Sequence, residues 1–226
     1  MTEILAIDIG FGWTKMVTIR NRLLLPSLVG PAEAIRFQSD VVDNGRGIAV
    51  EVDGQHLFVG EHAELQSAST RQTLDVSRTG SLEQKALFYA ACSELVRTND
   101  TDITVITGLP VGDFNDINKD KLREMLLGEH TVKRPGKRAR QFKVSGVHII
   151  PQGVGSLFYL VLDRQGKLVD SDLSTGRVGI IDVGTLTTNY ILSDRLRYVE
   201  VDSDSITTGT AEALRKVAKA LRDTYD

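Results

Sequence analysis

The stretch Leu5-Ala6-Ile7-Asp8-Ile9-Gly10-Phe11-Gly12-Trp13-Thr14-Lys15 aligns without a gap against Gly179-Ile180-Ile181-Asp182-Val183-Gly184-Thr185-Leu186-Thr187-Thr188-Asn189. Ile7/Ile181, Asp8/Asp182, Gly10/Gly184 and Thr14/Thr188 coincide, and β-branched Ile9 and Val183 separate each aspartate from its glycine. Each copy reads as an apolar strand, a turn and a second strand, which is Met16 to Ile19 in one and Tyr190 to Leu192 in the other. Such repetition predicts two lobes of one ancestry.

Outward from the first copy, Leu23 to Arg71 is rich in strand-forming residues, and Asp53-Gly54 is placed to turn Ile48–Val52 into His56–Gly60 as a hairpin. A small β-rich insertion over roughly 23–72 follows. Ser81-Leu82-Glu83-Gln84 has the form of a capping box, with Leu87, Ala90, Ala91 and Leu95 at helical spacing as far as Asn99. Ile103 to Thr107 resumes as a buried strand before Gly108-Leu109-Pro110, and Asp116 to Leu127 forms a helix with Leu122, Met125 and Leu126 on one face. The chain turns at Arg134-Pro135-Gly136-Lys137 into a strand over Phe142–Ile150, and one further strand falls near Arg197–Val201. A last helix, Ala211 to Tyr225, carries Ala211, Leu214, Val217, Ala218 and Leu221 as an apolar stripe. Alternating strands and helices predict α/β layers. The division expected is a first domain over 1–160 and the start of a second over 161–226.

The 226 residues are 41% hydrophobic and 25% charged, enough for a real core, and the net charge of -3 offers no global attraction to nucleic acid or to anionic membrane. Cys92 is the one cysteine, which excludes an internal disulfide and a thiolate metal cluster and suits a reducing compartment; it reads as core filler. The N-terminus lacks the regions of a signal peptide, and no window approaches the length of an apolar span, so a cytoplasmic location is expected. His56, His62, His130 and His148 are scattered without metal-ligand spacing. Lys133 to Lys143 holds six basic residues and no acid, with Phe142 alone instead of the interleaved aromatics a single-strand binding face needs; a solvated hairpin is the plain reading, and a filament contact or partner surface the sharper one.

Asp-x-Gly at a hairpin suits a phosphate. The glycine lets backbone N–H groups approach phosphate oxygens with no Cβ in the way, or supplies φ > 0 for the turn, and the carboxylate can hold Mg2+ through its retained waters. One such turn is ordinary; two in register are a stronger signal.

With these residues in hand, the chain resembles the actin, Hsp70 and sugar kinase superfamily, and within it actin-like ATPases of the ParM/StbA and archaeal actin homologue type. Asp8, Gly10 and Lys15 resemble that family's first phosphate loop, and Asp182, Gly184 and Thr187 or Thr188 its second. Ile149-Ile150-Pro151-Gln152-Gly153-Val154-Gly155 is similar to its linker segment, and Thr107-Gly108-Leu109-Pro110 to the ParM-like branch.

The resemblance implies two ribonuclease-H-like lobes, the second apparently incomplete, with the adenine-binding segment in the part this chain lacks and the last helix left to drive dimerisation. It implies ATP and Mg2+ as ligands. Asp8 and Asp182 would hold the metal through water and, with Gln152 orienting the attacking water, would be the catalytic set. Gly10, Gly12, Trp13, Thr14, Lys15, Gly184, Thr185, Thr187 and Thr188 would line the phosphates, although Lys15 also suits a surface lysine, Gln152 a solvated turn, and the Trp13 ring a packing role. The partners implied are other copies in a filament and a DNA-bound adaptor, with no direct membrane contact or strong nucleic-acid binding. The function implied is ATP hydrolysis coupled to polymerisation, for plasmid segregation or cytoskeletal organisation. The rivals are a non-polymerising FtsA-like or PilM-like scaffold and a small-molecule kinase.

Overall fold

Strand alternation builds the first sheet. The computed structural model describes residues 3–32, 48–72, 78–96 and 101–225. It divides into two compact units, one of Met1–Thr107 with Ile117–His148, the other of Gly108–Asp116 with Ile149–Asp226. The boundary at His148/Ile149 lies earlier than residue 160 and gives Gly108–Asp116 to the second unit.

In the first unit, β1 (Glu3–Ile9) turns Leu5, Ile7 and Ile9 inward, and β2 (Trp13–Thr18) does the same with Thr14, Met16 and Thr18. The second strand of this repeat therefore starts earlier than Met16, and Ile19 lies beyond it at 92% exposure. β3 (Arg22–Pro26) pairs antiparallel with β2, and Thr18 fixes the turn between them: its Oγ1 accepts from the amides of Arg20 and Asn21. Leu23–Pro26 thus belongs to the main sheet, and the inserted sheet begins at β4 (Leu28–Pro31).

That small sheet has the order β5-β6-β4-β7, from β5 (Ile48–Val52), β6 (Gln55–Val59) and β7 (Arg71–Gln72), with the short helix α1 (Glu61–Gln66) against it. Asp53-Gly54 makes its expected hairpin, both residues at positive φ. α2 (Leu82–Leu95) touches β1, β2 and β3 on one side and β4, β5 and β6 on the other. A helix between two sheets must be apolar all round, and Ala86 to Cys92 are all buried rather than only the stripe the spacing picks out. Its cap is a variant of the box: Ser81 Oγ accepts from the Gln84 amide, while Gln84 Oε1 reaches back to the amide of Gly80. Asn99 lies outside the described residues. Cys92 is fully buried, and burial pushes its thiol pKa well above the usual value.

β8 (Thr101–Leu109) runs parallel to β1; α3 (Asp116–Leu126), β9 (Gly128–Val132) and β10 (Arg140–Pro151) follow. The main sheet has the order β3-β2-β1-β8-β10-β9, with parallel and antiparallel neighbours mixed. Leu122 and Leu126 of α3 are buried and Met125 is half-buried.

The second unit holds α4 (Val154–Val161), α5 (Ser171–Thr175) and an antiparallel sheet β11-β12-β13, from β11 (Arg177–Val183), β12 (Thr188–Asp194) and β13 (Arg197–Ile206). α6 (Thr210–Tyr225) has no buried residue, and its stripe of Leu214, Val217 and Leu221 faces solvent, as do Ile181 and Val183 of β11. Among the described residues no helix is long and apolar enough to cross a membrane.

Candidate phosphate-binding loops

The two Asp-x-Gly hairpins are built alike, residue by residue. Asp8 stands opposite Lys15 in the β1–β2 ladder and Asp182 opposite Asn189 in the β11–β12 ladder; Ile9 meets Thr14 as Val183 meets Thr188. Each loop is closed by the same backbone bond, Gly10 N–H to Trp13 O at 3.0 Å and Gly184 N–H to Thr187 O at 2.9 Å. Neither glycine has positive φ, so the expected conformational reason does not hold. Space is the reason: a Cβ would come within 2.7 Å of Trp13 O at Gly10 and 3.1 Å of Thr187 O at Gly184.

Loop carbonyls are turned into the protein and satisfied there. In the first loop Arg78, only 8% exposed, donates from its guanidinium to Ile9 O and to Gly10 O, the latter at 3.1 Å, and lies 3.9 Å from the centre of the Phe11 ring. Ser27 N–H takes Gly12 O. In the second loop the first amides of α6 do the equivalent work, Thr210 N–H to Gly184 O and Ala211 N–H to Thr185 O, both at 3.0 Å. Among the described residues the amides of Phe11 and Gly12, and of Thr185 and Leu186 at the same offsets, find no acceptor. Paired free amides beside a chain reversal form a nest for anionic oxygen.

Each proposed side chain can now be placed. Asp8 is 40% exposed and Lys15 Nζ lies 3.3 Å from its Oδ2. Thr14 is fully buried, with its hydroxyl 2.9 Å from that of Ser27; Thr188 is buried and donates to Thr208 O at 2.7 Å. Thr187 is buried and Thr185 half-buried. Trp13, expected to pack, is 47% exposed because it falls on the outward register of β2. Asn189, the counterpart of Lys15, is buried and its Oδ1 accepts from Val111 N–H, so the repeats diverge at this position.

Gln152 joins Asp182 in the second unit. Its amide donates to Leu109 O at 2.8 Å, and a Cβ on Gly108 would meet its Cγ at 2.9 Å. Gly153 has φ +93, and a Cβ there would come 3.2 Å from that of Asp182. The Gly108, Gln152–Gly153 and Asp182 backbones thus close on one another. Spacing alone does not point to Arg78: it is far from both loops in the chain, and only the packing of residue 78 under β1 brings it there.

Residues 6–155 match the N-terminal domain of actin-like proteins, and the chain belongs to that family. An archaeal actin homologue of Thermoplasma acidophilum is 30% identical over 230 residues, covering 96% of this chain and 67% of its own length. A crystal structure of an archaeal actin homologue superposes with a TM-score of 0.82 at 25% identity, over 99% of this chain and 67% of that one; such a homologue has also been solved in complex with ADP. A ParM protein from Clostridium botulinum, solved as a 15-stranded filament, superposes with a TM-score of 0.75 at 25% identity, over 99% of this chain and 69% of that one. The chain is thus similar to the ParM and archaeal actin homologue branch and spans about two thirds of those relatives.

Proposed function

We propose that this chain binds ATP with Mg2+ through the two Asp-x-Gly loops, hydrolyses it, and forms filaments under the control of nucleotide state, for segregation of DNA or organisation of the cell. The observation that carries the reading is the pair of free amides at equal offsets in the two loops, with the carbonyls of Ile9, Gly10 and Gly12 and of Gly184 and Thr185 tied back. The ADP complex of one archaeal homologue and the filament of the botulinum ParM support it at the level of the family.

Asp8 and Asp182 suit Mg2+ as a hydrated ion. Among the described residues no three or more His, Cys, Asp or Glu side chains gather as a cage, and Mg2+ is commonly held by one or two carboxylates and phosphate oxygens with several waters retained. The metal would neutralise phosphate charge. The loop amides and Lys15 would stabilise charge that grows on the phosphoryl oxygens, at no cost in reorganisation because Arg78 and the start of α6 already hold the loops. Thr14 and Thr188 brace the loops from behind. Gln152 would orient the attacking water for in-line displacement, which leaves little covalent work to the protein.

Gln152→Ala tests this assignment. A water-orienting amide acts in the transition state, so kcat should fall by about a hundredfold while ATP affinity changes by less than about threefold. Assemblies followed by light scattering should then outlast those of the unsubstituted chain. Equal losses in binding and turnover would assign Gln152 to the backbone closure alone.

A further inference from the structure

The basic run around the β9–β10 hairpin is not a plain solvated turn. Lys133 pairs with Glu51 at 2.9 Å, and Arg134, whose side chain is 9% exposed, pairs with Glu94. Beside that anchored guanidinium lies a concavity of about 310 Å³ whose wall includes Lys137, Arg138 and Arg140, with half-buried Ala139 as its apolar surface and Val132 buried behind it. Among the described residues those three cations have no acidic partner. No aromatic side chain lines the basin, as stacking on nucleic-acid bases would require.

A complementary feature stands on the second unit. β13 is an outer strand of its sheet, and its pairing with β12 slips: Asp204 faces Tyr190 and Val199 faces Leu192, so Glu200 to Ser203 stand opposite Ile191 alone. The extra residues bulge outward. Ser203 fixes the bulge, its Oγ accepting from Leu192 N–H at 3.0 Å and donating to Val199 O at 2.6 Å. The result is a knuckle with Val201 at its tip, 91% exposed, flanked by exposed Glu200, Asp202 and Asp204. Asp202 meets Arg177 at 3.2 Å, an exposed pair of the kind that exchanges at little cost.

We propose that the Glu200–Asp204 knuckle of one copy seats in the basic basin of the next, Val201 against Ala139 and the methylene stems of the basic side chains and its flanking carboxylates against Lys137, Arg138 and Arg140. This contact rests on the reading of the chain as a filament former and supplies an interface for it. Two different patches joined copy to copy make a heterologous contact, which can extend instead of ending at a dimer. Four cations around one basin and carboxylates around one apolar tip also set the register of the copies, since like charges would meet in any other.

Two variants test the contact without nucleotide. R138E/R140E spoils the basin and keeps the knuckle; E200K/D202K spoils the knuckle and keeps the basin. By analytical ultracentrifugation at low salt, the unsubstituted chain should self-associate, and each variant alone should do so at least about tenfold more weakly. Their mixture pairs native knuckle with native basin and reversed knuckle with reversed basin, so it should regain assembly, and added salt should dissociate it. Circular dichroism melting checks that both variants fold. A mixture that stays monomeric while the unsubstituted chain associates would overturn the proposal, as would an unsubstituted chain that stays monomeric. If R138E/R140E assembles normally but loses affinity for a short DNA duplex, the basin is a nucleic-acid site and the proposal fails. ATP hydrolysis, measured separately by phosphate release, tells failure of this contact from failure of the nucleotide reading.

Discussion

Arg78 shows how much one residue can set. Its planar fork donates to two adjacent carbonyls and lies on Phe11, a geometry that an ammonium group cannot reproduce. Arg78→Lys keeps the charge and loses the fork. ATP affinity should fall by about tenfold or more, and hydrogen exchange at the Phe11 and Gly12 amides should quicken, because the carbonyls beside them are no longer held. The chain should also lose on the order of 2 kcal/mol of stability, the scale of charge-assisted hydrogen bonds to buried acceptors. Unchanged ATP binding by a folded Arg78→Lys chain would make Arg78 a packing residue only. The repeat Asp8/Asp182 and Gly10/Gly184 was legible in the sequence because a phosphate nest is local and uses the same residue types each time. Arg78 was not, because its partners are reached only through the fold. For the same reason the buried orientation of Thr14 and the exposure of Trp13 emerge with strand register, which a loop motif does not specify.

At the scale of elements, α3 is tied down through His130. Nε2 lies 2.7 Å from Leu126 O, and since a carbonyl only accepts, Nε2 carries the proton; Nδ1 then accepts from Tyr89 O–H at 3.2 Å. Burial is the main cause that lowers the His130 pKa below the usual 6.5. A base with a lowered folded pKa stabilises the chain fully above its unfolded value, and the benefit is lost as pH falls through about 6.5 toward the folded value. The melting temperature should therefore drop from about pH 7 to about pH 5, and His130→Gln should flatten that part of the profile relative to the unsubstituted chain. An identical slope in both proteins would place the acid sensitivity elsewhere. Elements with a strong period, such as the strand from Ile103, the helix after Ser81 and the helix from Ala211, were readable from sequence, with boundaries off by a few residues. The assignment of Leu23–Pro26 was not, because its leucines suit either sheet and the choice is made by the Thr18 turn and the free edge of β2.

On the scale of the molecule, the two units carry equivalent loops, and nucleotide can act on each through its own Asp-x-Gly hairpin. Each unit has its own sheet and its own Asp-x-Gly hairpin. Ligand binding stabilises whatever must be folded for the site to exist, in proportion to the logarithm of its concentration over its dissociation constant. If both loops bind nucleotide phosphate, saturating ATP–Mg2+ should raise the melting transitions of both units in calorimetry. A gain of about 3 kcal/mol is expected at a hundredfold excess over the dissociation constant. Asp182→Ala should abolish the shift of the second unit while leaving the transitions of the nucleotide-free protein almost where they were, since a half-exposed carboxylate at a strand end contributes to the ligand rather than to the core. Asp8→Ala should act likewise on the first unit. A nucleotide effect confined to one transition, and insensitive to the aspartate of the other unit, would mean that only one of the two loops binds phosphate and that the second keeps the shape of its ancestor without its use.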